Sequence, residues 1–505
     1  MIWLTPRRLT LRRAPRLLAG ALLLAACGPV LAVSQVFLVQ NSGWMDPFYT
    51  DPSSRFKPLV AELVMAVSAP GDRMVLAAFN QSLPGAPSPR ALLALTVGAE
   101  PARDRVDAAL AQLQTAKKPG ANTLADTDLN EAVSAAIGSA LGGKPGLVWL
   151  FTNNRNSPNN DLATDRRNRE FYELIHRGDA IKKALAFPLK MPVRGDHYSA
   201  NGLMVYVFAV GEQGARELDA LLATGRIARV ITEPAARLKP LDQDSVRLMP
   251  RKVVNAPGLR FSMAPSGKLH ADVDSSARAP SANIEWNLEN TMYPYTITQA
   301  TLSARSVLAG RERPITLARA DVRDLAPGKP QPLSSVMQLP AAELPSKWSL
   351  QALRTAGSAY VLPGRIELQL SGQKLALSQD FRRRMAELFP GDPLPDIFTP
   401  PARIKGSEAK LQLEVRVHYG IGPLLALIGA GLAVLAAAGA AALAVGRPRR
   451  VVVTVEGEQR TVHTRAGLTQ PLFDKAGNKV AELKSTLFGN QLIDLREGAQ
   501  VRLGR

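Results

Sequence analysis

Side chains able to do chemistry are few in this chain and badly spaced for it. The five histidines, His176, His197, His270, His418 and His463, stand far apart. None has the HxxxH or HExxH spacing that puts two imidazoles on one helix face to hold zinc. The one cysteine, Cys27, excludes a disulfide framework and a cysteine-rich metal module. No GxGxxG, Walker A, GxSxG or CxxC pattern occurs. What remains are hydroxyls and amides in short polar segments: Asn41-Ser42-Gly43-Trp44, Thr127 between Asp126 and Asp128, and Thr152 to Asn160. The stretch from Asn153 to Asn160 holds five Asn with one Arg, one Ser and one Pro. Such groups suit hydrogen-bonded recognition, or coordination of a hard cation if carboxylates join them.

These segments matter only if regular elements bring them together. Val36-Phe37-Leu38-Val39, Met74 to Phe79, Ala91 to Val97, Leu147 to Phe151, Ile181 to Phe187 and Leu203 to Val210 read as strands. Helical spacing appears at Leu59 to Val67, Val106 to Leu113, Leu129 to Leu141, Asp165 to His176 and Gly214 to Ala223, with Thr164 read as a helix cap. The alternation predicts a doubly wound α/β domain over 33–232, with a mostly parallel sheet covered on both faces. In such a sheet ligands meet the loops beyond the carboxyl ends of the strands, here after Val39, Phe151 and Val210. Residues 233–257 are Pro-rich and basic and read as a linker. From 258 to 419 the period turns to two, which predicts an antiparallel, immunoglobulin-like β-sandwich interrupted by one helix, Ser378 to Phe389. Residues 447–505 read as a small β domain with a hairpin turn at Asp474 to Lys479.

Read in order, the polar segments resemble the von Willebrand factor type A family. Val36 to Met45 is similar to the family's first strand running into its D-x-S-x-S metal-ion-dependent adhesion site. Thr127-Asp128-Leu129-Asn130-Glu131-Ala132 resembles its threonine segment, and Leu147 to Asn154 resembles its strand ending in T-D-G. The resemblance covers 33–232. It implies a domain that captures a partner at the crevice loops, with Asn41, Trp44, Asn153, Asn154 and Arg155 as candidate contact residues. The family's two aspartate positions carry Gln40 and Asn153, and its last motif serine carries Trp44. Only Ser42 and Thr127 keep ligand types. Octahedral Mg2+ draws most of its attraction from carboxylates, so little or no metal dependence is expected. The residues alone also allow Ser42 as a turn residue and Thr127 as a helix N-cap.

The formal charge of +19 invites a nucleic-acid reading. Its distribution argues otherwise. Residues 1–32 contribute +5, residues 447–505 contribute +5, and 33–419 only +9. The excess flanks apolar runs, which is topology signalling rather than a nucleic-acid footprint. Five arginines followed by the uncharged run Leu17–Val33 read as a bacterial signal sequence. Three outcomes stay open there: cleavage after Ala32, lipidation of Cys27 at Leu24-Ala25-Ala26-Cys27, or retention as an anchor. Gly420 to Gly446 is a 27-residue uncharged run ending at Arg447-Pro448-Arg449-Arg450. It predicts one transmembrane helix, with 33–419 periplasmic and the C-terminus cytoplasmic. The expected function is a membrane-anchored, non-enzymatic interaction protein of the bacterial envelope with a protein partner. The alternatives are a Mg2+-dependent adhesion or assembly module and an envelope hydrolase.

Overall fold

The computed structural model describes residues 33–98, 102–156, 162–196, 198–256, 258–274, 281–338, 344–391, 395–402 and 404–504. The signal-sequence segment with Cys27 and Ala32, His197, and residues 157–160 of the asparagine-rich loop lie outside these. The chain divides into two compact units. One gathers residues up to 271, 279–340 and 363–414; the other gathers 272–278, 341–362 and 415–505.

The first unit contains a mixed seven-stranded sheet. Its strands are β1 (Ser34–Gln40), β2 (Arg73–Phe79), β3 (Arg90–Thr96), β4 (Gly146–Thr152), β5 (Ile181–Arg194), β6 (Ser199–Val210) and β7 (Ala236–Lys239). They lie in the order β3-β2-β1-β4-β6-β5-β7. Only β1 is parallel to its neighbours, β2 and β4. The pairs β2–β3, β4–β6, β5–β6 and β5–β7 are antiparallel. The expectation of a mostly parallel sheet is therefore corrected. The reason is chain length: four residues separate β5 from β6, and a parallel return needs a crossover of a dozen or more.

Both faces of this sheet are covered, and period two decides which side chain goes where. Phe37, Val39, Leu147, Trp149 and Phe151 meet Phe56, Val60, Leu63 and Val64 of the helix Phe56–Val67, Val106 and Leu110 of the helix Ala102–Ala111, and Leu218 and Leu221 of the helix Gly211–Ala223. Val36, Leu38, Val148 and Leu150 face the other way, toward Leu129 and Val133 of the helix Leu129–Ala135 and Phe171 and Ile175 of the helix Leu162–Arg177. Thr164 lies inside the first turn of that helix, not at its cap. The helix Leu129–Ala135 relaxes into a π-turn, Ala136–Ala140, and ends before Gly142 and Gly143 at φ of 61° and 69°, a region that glycine enters without strain.

Two findings alter the division at 232. The stretch expected as a linker, 233–257, contains regular strands. Ala236 and Leu238 are buried on β7, and the same stretch holds β8 (Val246–Val253) of the next sheet. Alternating apolar and basic residues give each an edge-strand pattern, and Pro is tolerated at such edges. The helix Gln379–Leu388, 140 residues beyond the end of the sheet's last strand (379 against 239), closes the second face of the α/β layer. Phe381, Leu388, Phe389, Ile397 and Phe398 join Tyr206 and Phe208 in one core. His176 Nε2 meets the Ile397 carbonyl at 3.0 Å, and Arg384 donates to the Pro188 carbonyl at 2.9 Å.

The β region is antiparallel as expected. Its strands are β8, β9 (Leu259–Met263), β10 (Leu269–Asp274), β11 (Ser281–Asn290), β12 (Tyr295–Leu308), β13 (Arg311–Leu317), β14 (Asp321–Leu325), β15 (Gln331–Gln338), β16 (Ala359–Leu377) and β17 (Gly406–His418). All ten belong to one hydrogen-bonded sheet, in which β14 and β13 share one edge of β12 while β16 takes the other. Trp286 lies opposite Leu333, and its indole donates to Ser335 Oγ at 2.7 Å.

The second unit carries the helix Gly422–Gly446 and the C-terminal strands. The stretch Gly422–Leu443 is strongly apolar and unburied. Among the described residues it is the one helix long and apolar enough to cross a membrane. At 1.5 Å per residue its 22 residues span roughly 33 Å, enough for a hydrocarbon core of about 30 Å. Beyond it, two three-stranded sheets enclose Val451, Val453, Val455, Leu472, Val480, Leu483 and Val501. The hairpin turn is as expected: Asp474 Oδ1 accepts from the N–H groups of Ala476 and Asn478, both at 2.8 Å.

The five residues from 381 to 398 that cap the α/β core contribute roughly 2 kcal/mol apiece by burial. Total domain stability is about 5–15 kcal/mol. A fragment ending at 232 is therefore expected to bind a hydrophobic dye and to lose its cooperative urea transition, whereas 33–419 retains it. A 33–232 fragment as stable as 33–419 would show that this cover is dispensable.

Candidate functional site

The strands that end side by side at the centre of the α/β sheet are β1 and β4. The chain reaches β2 from β1 across one face and β4 across the other, so β1 is where the winding reverses. Such a reversal opens a crevice at the carboxyl ends of the strands. Gln40 closes β1, Thr152 closes β4, and Thr127 approaches in the loop before the helix Leu129–Ala135. All three are fully buried, as is Ser42.

The Gln40 amide is the hub of this cluster. Its Nε2 donates to Ser42 Oγ at 2.7 Å and to Thr127 Oγ1 at 2.8 Å. Its Oε1 accepts from Thr152 Oγ1 at 2.5 Å and from the Asn153 N–H at 3.2 Å. The amide's orientation is set by chemistry: a main-chain N–H can only donate, so the atom facing Asn153 must be oxygen. Thr152 Oγ1 in turn accepts from the Asn154 N–H at 2.9 Å, which leaves its own proton for Gln40. Thr127 Oγ1 donates to Ser42 Oγ at 2.6 Å and closes the ring. Tyr49 donates to the Gln40 carbonyl at 2.7 Å, and burial pushes its phenol well above the usual range, so it remains a neutral donor.

The surrounding asparagines are consumed in the same way. Asn153 donates to the Trp44 carbonyl at 2.7 Å and accepts from the Arg155 N–H at 3.2 Å. Asn154, at φ 68°, accepts from the Tyr206 hydroxyl at 2.5 Å; asparagine tolerates this left-handed backbone better than most residues. Asn156 accepts from the Leu129 N–H at 3.1 Å, and its carbonyl accepts from the Thr127 N–H at 3.1 Å. Asn41 donates to the Gln114 carbonyl at 3.3 Å and accepts from Asn80 at 3.1 Å. Thr127 is not a helix cap; Asp128 is, accepting from the Glu131 N–H at 2.9 Å.

The nearby carboxylates are engaged elsewhere. Asp126 pairs with Lys118 at 2.8 Å, Asp128 with Arg167 at 3.5 Å, and Asp46 accepts from Thr115 at 3.3 Å. Among the described residues no group of three or more His, Cys, Asp or Glu comes together. Ser42 and Thr127, the two remaining ligand types, thus point at an amide nitrogen.

Trp44 sits outside this network and is half-exposed. The Arg155 guanidinium carbon lies 4.7 Å from its ring centroid, and Tyr198 meets it edge-on at 5.2 Å and 71°. Arg155 also donates to the Pro390 carbonyl at 3.2 Å. Burial, then the charge of Asp46, raises the Tyr198 phenol, which therefore stays a neutral ring in the stack. Of the five candidate contact residues, Asn41, Asn153 and Asn154 are buried and turned inward; Trp44 and Arg155 reach the surface.

Sequence reasoning had Thr152 as the polar end of an apolar strand but missed three participants. Tyr206 stands opposite Leu150 in a fully buried strand, where a phenol needs a partner. Tyr49 and Tyr198 arrive from a short helix and a hairpin, and nothing in their spacing announces it.

No family model matches this chain, and no curated protein matches it.

Replacing Gln40 by Leu leaves the Asn153 N–H and the Thr152 hydroxyl buried without acceptors. Each such orphan costs about 1–3 kcal/mol. Gln40→Leu is therefore expected to lower unfolding free energy by about 3 kcal/mol or more in 33–419, read by urea denaturation. An unchanged midpoint would show that the network is not closed as described.

Proposed function

We propose that the chain is a membrane-anchored, non-enzymatic interaction protein of the bacterial envelope. Its α/β layer acts as a von Willebrand factor type A-like domain that works without a metal. The observation that carries this reading is the Gln40 amide, which donates to Ser42 and Thr127, the two residues of ligand type at that position. A neutral amide with four short partners fills the place and leaves no charge to hold a cation. The supporting geometry is the Trp44–Arg155–Tyr198 stack at the rim, since Trp and Arg dominate interface hot spots. The proposed partner is an envelope protein that docks on that rim. A cleft of about 910 Å3 elsewhere in the first unit is lined by charges of both signs, including the ion-paired Lys183 and Asp219, and offers no nucleophile beside a base.

The proposed placement is single-pass in the inner membrane, through the helix Gly422–Gly446. Residues 33–419 would lie in the periplasm. Arg447, Arg449 and Arg450, directly after the helix, favour the cytoplasm.

Crosslinking the full chain in native membranes identifies the captured protein and gives its yield. Trp44→Ala and Arg155→Ala are expected to cut capture about thirtyfold, the equivalent of ~2 kcal/mol, with melting midpoints little changed. Chelation of divalent cations leaves capture by the natural chain intact. Full capture by both variants would remove the rim as the docking surface, and loss of capture on chelation would reinstate a metal.

A reporter active only in the periplasm, fused after Arg505, is expected to be silent, while the same reporter fused after Gln243 is active. Activity at the C-terminus would reverse the topology.

A further inference from the structure

The second unit exposes apolar side chains that lie next to the start of its long helix. Residues 344–358 lead to β16 and include the short helix Leu350–Arg354, capped by Ser349. Two contacts tie this segment to the residues just before Gly422. Tyr419 Oη donates to the Pro345 carbonyl at 2.7 Å, and the Gly357 N–H reaches the Tyr419 carbonyl at 3.4 Å. A Cβ on Gly357 would stand 3.6 Å from Ile421 Cγ2, so the far end of the segment lies against the helix's first side chain. Between these tethers, Trp348 is 52% and Leu350 64% exposed, and Ile421, next to Gly357, is 53% exposed. Val361, at the start of β16, is 48% exposed.

We propose that Trp348, Leu350 and Ile421, with Val361, form a foot that seats in the headgroup layer of the membrane around the helix's N-terminal end. The inference rests on the reading that Gly422–Gly446 spans a bilayer. Three observations commit the patch to lipid rather than to a protein. It is continuous with a helix whose apolar surface is wholly unburied. It adjoins the residue before that helix, and because roughly 33 Å of helix is close to the about 30 Å of hydrocarbon core, both helix ends fall near its boundaries. Its charges are mostly basic: residues 343–362 hold Lys347 and Arg354, both exposed, against one acid in the sequence, Glu343. Basic side chains beside an apolar face suit anionic headgroups, and tryptophan favours this zone because its ring is apolar and its N–H can stay wet.

The test uses the full chain reconstituted in vesicles of phosphatidylcholine and phosphatidylglycerol, with lipids brominated either near the headgroup or deep in the tail. Tryptophan emission is compared between the natural chain and Trp348→Phe. A second reporter, Leu432→Trp in the Trp348→Phe background, reads insertion of the helix independently. The expected result is a blue-shifted component quenched by shallow bromine and absent from Trp348→Phe, while the Leu432→Trp signal is quenched by deep bromine. A quenched Leu432→Trp reporter with no quenchable Trp348 component overturns the foot and leaves the spanning helix standing. A Leu432→Trp reporter untouched by either lipid overturns both.

Discussion

The α/β layer depends on one amide. Gln40 lies where the winding reverses and two parallel strands end together. Polar main-chain ends and hydroxyls converge there from positions 42, 127, 152 and 153. A buried crevice of this kind must be filled by something that answers donors on one side and acceptors on the other. A carboxylate could answer only the donors, and a cation only the acceptors. The carboxamide does both, with its oxygen turned to β4 and its nitrogen turned to Ser42 and Thr127. Its four partners come from three segments separated by up to 113 residues, so their joint satisfaction requires the whole sheet to be assembled. Local polarity is high and net charge is zero, which is how buried polar networks avoid the cost of an isolated ion.

The rim follows from the same arrangement. Because Asn153 spends its amide on the Trp44 carbonyl and the Arg155 N–H, the loop after β4 and the loop after β1 are fastened to each other. The fastening places the guanidinium of Arg155 on the indole of Trp44, backed edge-on by Tyr198 from the β5–β6 hairpin. Three side chains from three loops form a stacked, semi-rigid surface. Ordering them before binding reduces the entropy that a docking partner would otherwise have to offset.

The second unit obeys a different constraint. The helix Gly422–Gly446 carries no charge and is long and apolar enough to cross a membrane. Arg447, Arg449 and Arg450 follow it directly in the sequence. Hydrogen bonds from Tyr419 and Gly357 hold exposed apolar groups close to its first turn.

Much of this was legible in the residues, because the signals concerned are local. Continuous apolar runs gave strands buried on both faces, period two gave the antiparallel region, and an uncharged stretch of membrane length gave the long helix. The approach of Ser42 and the segment after Phe151 was also readable, since in a wound sheet strand ends meet at a predictable edge; Thr127 joined them only through the family resemblance. Tertiary structure alone decided three things. The direction of β6 against β4 depends on a hairpin only four residues long, which helix-and-strand alternation does not register. The helix Gln379–Leu388 caps a sheet laid down far earlier in the chain, a pairing of apolar faces that no spacing rule encodes. The role of Gln40 is the clearest of the three. In the sequence it is one neutral residue at the end of a strand; only the fold supplies the two hydroxyls its nitrogen needs and the hydroxyl and N–H its oxygen needs. Hydrogen-bond satisfaction is a property of three-dimensional neighbours, and these lie 2, 87, 112 and 113 residues away.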